Sequence, residues 1–437
     1  MYSGKPSPLT VFFIFVFLLA LIPPAHAAEP LWTYSYPGSE IGGVTVSSDG
    51  SAIAVGGGKI WLFSNKGTLL AKEPFGDQVV FTPDGSSLVS SYSSILYQFE
   101  RKTSPKGSVS PLQKIWETEL PTAVRSIDVS DDGKTIVASA KGEGTYFYTS
   151  TGEKIGGNKS YNAIIRVSST GGRIVGVSRG VMCLYNRNGD CSESEEGVVG
   201  AEPDFMELTS SGNIAVFNDD QRVRSVFLNN ETLRWTRRAT GDITALAMTP
   251  SGSGILAGTE NGNVDLFDEY GNLSWSYASN PGNKQAAGIT CVALSKEGTV
   301  AAAGSYDGKI FALNYKGEEI WSNQTKDHIH HIAMSAGGTL IVATGEETVY
   351  AFSTSAQFIP VVRTTGNSLT PAPSQSVTTV PGNSSVQKPE TREPTTRAIT
   401  AVPTEYSVIR TSTQSPLSGI IPPGAILVAL LMVMRRR

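Results

Sequence analysis

Along most of this sequence, apolar positions fall in short runs bounded by Gly, Asn, Asp and Ser, with no sustained helical spacing. The runs are grouped. Each group opens with an apolar run ending in Ser or Thr, turns at a Gly, and returns as a second apolar run. A third run follows, often resembling Lys59-Ile-Trp-Leu-Phe63. Such runs read as strands joined by tight turns. The turn glycines are assigned as Gly50, Gly85, Gly133, Gly172, Gly212, Gly252, Gly298 and Gly338. Their mean spacing is about 41 residues, the length of a four-stranded propeller blade. The pattern therefore predicts an all-β protein, with an eight-bladed β-propeller of four-stranded blades over residues 28–360.

The sixth copy shows the grammar most clearly. Thr244–Thr249 reads as the inner strand, with Leu246 and Met248 on one packed face. Pro250-Ser251-Gly252 turns into a second strand, and Asn261-Gly262 is a hairpin signal. Asn263–Phe267 is the third strand and Asn272–Tyr277 the outer one, with Trp275 expected between blades. Outer strands with Trp also occur at Trp116, Trp235 and Trp321. The eighth copy has three clear strands and no good fourth. Pro30-Leu-Trp-Thr-Tyr34 reads as an outer strand without inner strands before it, so it is expected to complete that blade and close the ring. Phe358–Val362 is the alternative. Closure matters because an open ring leaves edge strands free to pair with other molecules.

The ends change the picture from a bare ring to a displayed one. Lys5, the apolar run Leu9–Ile22 and Ala25-His26-Ala27 read as a secretory signal over residues 1–27, with an uncleaved anchor as the alternative. Residues 363–416 are dominated by Thr, Ser, Pro and Val, a composition expected to stay disordered as a stalk. Fully extended, it would reach up to about 170 Å. Residues 417–437 form a short hydrophobic segment with an Arg tip, marginal for a bilayer span. The tip residues Arg435–Arg437 are expected on the cytoplasmic side. Around Ser415-Pro416-Leu417-Ser418 this tail resembles the tripartite sorting signals of prokaryotic surface proteins, including those read by archaeosortases and exosortases. Either reading implies attachment at the extracellular face. Formal net charge is −4 with no basic stripe, which argues against nucleic acid.

The Ser/Thr-x-Asp/Ser-Gly turns resemble WD40 repeats, although the Trp-Asp dipeptide is absent. Gly271–Trp275 and Gly317–Trp321 resemble the tryptophan-docking element of quinoprotein-type (PQQ-like) propellers. That second resemblance implies either an oxidoreductase or one of the class's non-enzymatic members.

Candidate chemistry is sparse. Asp327, His328 and His330 are candidate ligands for a divalent metal, while His331 is expected to point elsewhere. Glu40, Asp77, Glu202, Asp204, Asp242 and Asp327 would form an acidic rim around the channel mouth, diluted by Lys284 and Arg125. Asp128, Arg166 and Glu207 share one inner-strand register and are expected to cluster with trapped water. Cys183 and Cys191 flank a turn and suit a disulfide in an exported protein; Cys291 is left as a buried hydrophobe. Sequons stand at Asn158, Asn230, Asn272, Asn323 and Asn383, four of them expected in or just after turns before outer strands.

These features favour a non-enzymatic surface propeller, without cofactor, binding an unknown protein or glycan and held to the membrane by its C-terminal segment. The alternative is a quinoprotein-like oxidoreductase. No Cys-Cys dipeptide is present to clamp a quinone, and no zinc-protease helix motif supports a hydrolase.

Overall fold

The structure is a computed structural model that describes residues 27–36, 41–102, 111–159, 164–186, 188–194, 198–200, 203–281 and 287–354. The expected signal before Ala27, the stalk, the hydrophobic tail, Phe358–Val362, Glu40, Glu202, Lys284 and Asn383 lie outside them. The described strands form eight four-stranded sheets, all antiparallel. Each sheet is one blade. The inner strands of blades 1 to 8 are Gly43–Val46, Gln78–Phe81, Val124–Val129, Ile164–Val167, Met206–Leu208, Ile243–Met248, Ile289–Leu294 and His331–Met334.

One local device recurs in all eight blades. The hydroxyl that ends each inner strand accepts the N–H five residues on, at the start of the second strand. The pairs are Ser47–Ala52, Thr82–Ser87, Ser130–Thr135, Ser168–Arg173, Thr209–Ile214, Thr249–Gly254, Ser295–Val300 and Ser335–Leu340, at 2.9–3.2 Å. The carbonyl of the same Ser or Thr accepts from the turn glycine three residues on. That glycine has positive φ, a conformation costly for any residue with a Cβ. In blade 4 the glycine is Gly171, at φ 70, and not the expected Gly172. In blades 1 to 3 the hydroxyl also donates a hydrogen bond to Asp49, Asp84 or Asp132. Burial alone would raise these carboxyls, but hydrogen bonds from the turn hold them below the usual range.

The turns also join one another. Ser48 N–H reaches Pro83 O, Asp132 reaches Ser169, Ser169 reaches Ser210, Ser210 reaches Pro250, Lys296 reaches Ala336, and Ala336 reaches Ser48. These six bonds run around one end of the channel, blade to blade. The two remaining donor positions are Pro83 and Pro250, which have no N–H to give. This end of the ring is thus laced by backbone hydrogen bonds.

Both faces of each blade are covered by neighbours, which explains apolar runs without strict alternation. In blade 6, Leu246 and Met248 pack toward blade 5, while Ala245 and Ala247 pack toward blade 7. The core is accordingly eight clusters, one per seam.

The ring closes through its first strand. Trp32–Ser35 pairs antiparallel with Thr348–Ser353, the third strand of blade 8. Trp32 lies over Gly67 of blade 1 and donates its indole N–H to Asn65 O at 3.0 Å. Trp116, Trp235 and Trp275 do the same to Ser150, Glu269 and Tyr315 of the next blade, each beside a turn glycine. The Gly-x-x-x-Trp pieces are therefore blade-to-blade locks. Trp321 differs. It is fully buried against Phe352 and Ala28, and its indole nitrogen has no hydrogen-bond partner.

Inner strands are sheet edges, so their channel-side N–H and C=O groups need partners. Polar side chains of adjacent inner strands supply them. Thr45 accepts from Phe81 N–H, Ser126 from Ile165 N–H, and Asp128 Oδ2 from Val167 N–H at 2.8 Å. Gln78 donates to Arg125 O, and Thr290 to Ile329 O. At the closing seam, His331 Nε2 donates to Ile41 O at 3.1 Å.

Deleting residues 29–36 should lower the melting temperature of the whole ring; a deletion variant that melts like the parent would refute closure by this strand. Trp235→Phe loses a lock and should cost about 1 kcal/mol, whereas Trp321→Phe removes an unsatisfied N–H and should cost less. Urea melts of the two variants in the opposite order would contradict that account. Burial pushes His331 down to about 4, from 6.5 for an ordinary imidazole. Between those values only the unfolded state takes the proton. This contribution to stability is therefore complete above about pH 6.5 and declines toward pH 4, by up to roughly 3 kcal/mol. His331→Gln should flatten the slope; unchanged slopes would show that His331 is not responsible.

Candidate functional site

The residues expected to carry chemistry are mostly consumed by the architecture. Asp128, Arg166 and Glu207 are all buried on the inner strands of blades 3, 4 and 5. Asp128 serves the backbone. Its two oxygens accept from Val129 and Val167 N–H and thereby tie blade 3 to blade 4. Arg166 Nη2 stands 4.0 Å from Glu207 Oε1, and its Nη1 donates to Ile165 O. Beside them is a cavity of about 30 Å³, also edged by Ser169, Thr209 and Ser210. A space of that size suits a single water, and the geometry is that of a packed ion pair rather than a substrate site.

Asp327, His328 and His330 are not brought together as a ligand set. Asp327 Oδ2 accepts from Tyr350 OH at 2.9 Å. The His328 ring stacks on Tyr306, with Nδ1 against the Tyr306 carbonyl and Nε2 3.9 Å from Glu346. His330 and His331 ring centres are 6.4 Å apart, and His331 faces the blade seam as expected. Asp327, His328 and His330 lie in the loop before the inner strand His331–Met334, where Asp327 and His328 are each held by a different partner. Among the described residues the one close cluster of ligand atoms is Cys183, Cys191 and Glu193. Its two sulfurs are bonded to each other, joining the third and outer strands of blade 4. Cys291 is buried in the seam between blades 7 and 8, and burial pushes its thiol up to about 12.

The acidic rim is also partly committed. Asp77 accepts Gly58 N–H at 2.8 Å and so closes a turn, as Asp327 is held by Tyr350. Asp242 is different: with Asp220, Gln221, Arg222 and Arg238 it lines a pocket of about 370 Å³ on blade 5. The pocket lies where the turn between second and third strands meets the loop leading into blade 6. Sequence reasoning missed both arginines. The available signal was Arg222-Val-Arg224 followed by Arg237-Arg238, but strand register is needed to see that Arg222 and Arg238 are partners.

Two sequons depart from their expected place in turns. Asn158 and Asn323 lie on outer strands, and their side-chain nitrogens donate to Gly189 O and Ala28 O. The nitrogen that a glycan would modify is therefore already engaged. Asn230 and Asn272 stand exposed in turns; Thr232 of the first sequon donates to Asn230 Oδ1 at 2.8 Å, while the Asn272 side-chain nitrogen donates to Asp268 Oδ2 at 2.9 Å.

A family model described as the Vps8 beta-propeller matches residues 234–367, under a third of the sequence. No curated protein matches the sequence. Among solved structures, Sqt1 of Chaetomium thermophilum bound to the N-terminus of ribosomal protein L10 is similar at 14% identity. That match has a TM-score of 0.62 and covers 75% of this protein and 100% of that one. The C-terminal WD40 domain of Sif2 is similar at 13% identity and TM-score 0.62, covering 76% and 99%. At such identities the likeness concerns the fold alone: this protein is an eight-bladed β-propeller, similar in fold to these WD40 structures.

Proposed function

We propose that this protein is an exported, surface-displayed propeller that binds another protein and carries out no reaction of its own. The observation that carries the reading is where the backbone leaves the ring. Thr354 follows the last strand and is bound to Thr339 O and, through its hydroxyl, to Gly338 O, the turn glycine of blade 8. The exit is therefore at the laced end. The backbone thus departs from the face opposite the longer loops. The Cys183–Cys191 bridge suits an oxidising compartment. Polar groups inside the ring are spent on joining blades, which leaves recognition to the loops. Sqt1, of similar fold, is bound to the N-terminus of another protein.

The test uses the full-length protein in cells that make it. A membrane-impermeant biotin reagent should label the propeller on intact cells; labelling only after lysis would end the display reading. A photo-crosslinking residue at Tyr306, exposed between the second and third strands of blade 7, should capture a protein partner. The same residue at Tyr315, equally exposed at the laced end, should not. Equal capture from both positions, or from neither, would overturn recognition by the loop face.

A further inference from the structure

The pocket on blade 5 has an arrangement that packing does not explain. Arg222 begins the third strand and Arg238 ends the outer strand, and they are direct cross-strand partners. Like charges placed opposite each other destabilise a strand pair. The nearest compensating group along the ladder is Asp219, which pairs with Arg222 in register. Its carboxylate is held instead by Arg224, at 2.7 Å. Among the described residues, neither Arg222 nor Arg238 forms an ion pair with a carboxylate. Arg238 is nonetheless oriented, because it donates to Gln221 Oε1. Two arginines, one of them already positioned, thus border a space of about 370 Å³ that Asp220 and Asp242 also line, with no carboxylate in ion-pair contact with either guanidinium among the described residues.

From this we infer that the blade 5 pocket is a recognition site for a carboxylate carried by a partner protein. The inference rests on the binding reading above, since it names what the loop face reads. Guanidinium groups match a carboxylate in two-pronged geometry, and a carboxylate between Arg222 and Arg238 relieves their mutual repulsion. Asp220 and Asp242 line the same space and set its selectivity. Their charges repel a sulfated or phosphate-rich ligand that would crowd several negative groups into the pocket, while leaving room for one carboxylate between the arginines. The carboxylate has two sources with the same chemistry: an acidic side group within the partner or the partner's free C-terminus.

The experiment titrates the full-length protein with two probes by calorimetry at low salt. One is acetyl-Gly-Gly-Glu-Gly-Gly-amide, an internal carboxylate; the other is acetyl-pentaglycine with a free C-terminus. Each has an uncharged control, with Gln for Glu or with an amidated end. At least one probe should bind near millimolar Kd, about −4 kcal/mol, and its control should not. The probe that binds identifies the source. Arg222→Gln with Arg238→Gln should weaken binding about tenfold or more, and added salt should weaken it in the wild type. Both positions are exposed, so the double variant keeps the ring. Asp220→Asn with Asp242→Asn should tighten the probe and admit inorganic sulfate. Failure of both probes to exceed their controls, or equal binding by the arginine double variant, overturns the site. Sulfate binding to the wild type as tight as the carboxylate overturns its selectivity. If a partner is captured at Tyr306 while both probes fail, this pocket is refuted and the binding reading stands. If a probe binds and no partner is captured, the carboxylate site stands and its assignment to a partner protein falls with the binding reading.

Discussion

The architecture depends on one hydroxyl per blade. A Ser or Thr at the end of each inner strand takes the N–H five residues on, while its carbonyl takes the N–H of a glycine in the left-handed region. The hydroxyl is buried, so the amide it satisfies would otherwise be orphaned at the foot of the blade. The bond fixes how the second strand returns beside the first, and hence the tilt at which every blade meets its neighbour. Repeated eight times, it places the turns close enough for their backbones to bond directly. The lacing of one end of the ring is thus a consequence of a local turn and needs no further specification.

The same geometry decides what polar residues in the channel are for. A blade has two edges, and the inner one has no strand beside it. Its amides and carbonyls are partly satisfied from the next blade by Thr45, Gln78, Ser126, Asp128, Thr290 and His331. A polar or charged residue in that register reads as chemistry in one dimension and as edge satisfaction in three. Asp128 illustrates this, since its carboxylate reaches backbone rather than a substrate space.

Much of this was legible in the sequence because it is local and repeated. Seven of eight turn glycines, the strand order and the outer-strand character of Leu31–Tyr34 follow from comparing copies. Blade 4 failed at Gly171-Gly172, where two glycines occur together and only the three-residue spacing from Ser168 selects the first. The strand placement of Asn158 and Asn323 was missed because their outer strands, Lys154–Asn158 and Glu319–Gln324, run to or past the sequon. Asp327, His328 and His330 looked like a ligand set because they are close in sequence, yet in the loop before the inner strand Asp327 is taken by Tyr350 and His328 by Tyr306. The opposite error hid Arg222 and Arg238, which are distant in sequence and adjacent only through ladder register.

The two faces of the ring therefore differ in kind. At the laced end, backbone atoms bond one another, and a residue there can change without gaining a partner, since the groups that would bind one are used. At the other end, blades are joined by loops that vary in length; Asp77 and Asp327 are committed there to turns, whereas Arg222 and Arg238 form no ion pair among the described residues. Repetition limits what the first face can become, because each turn must stay compatible with its neighbours. Function has to arise where the repeat is broken. On blade 5 it is broken by two arginines placed against the preference of the ladder that holds them, an arrangement whose cost a bound anion would offset.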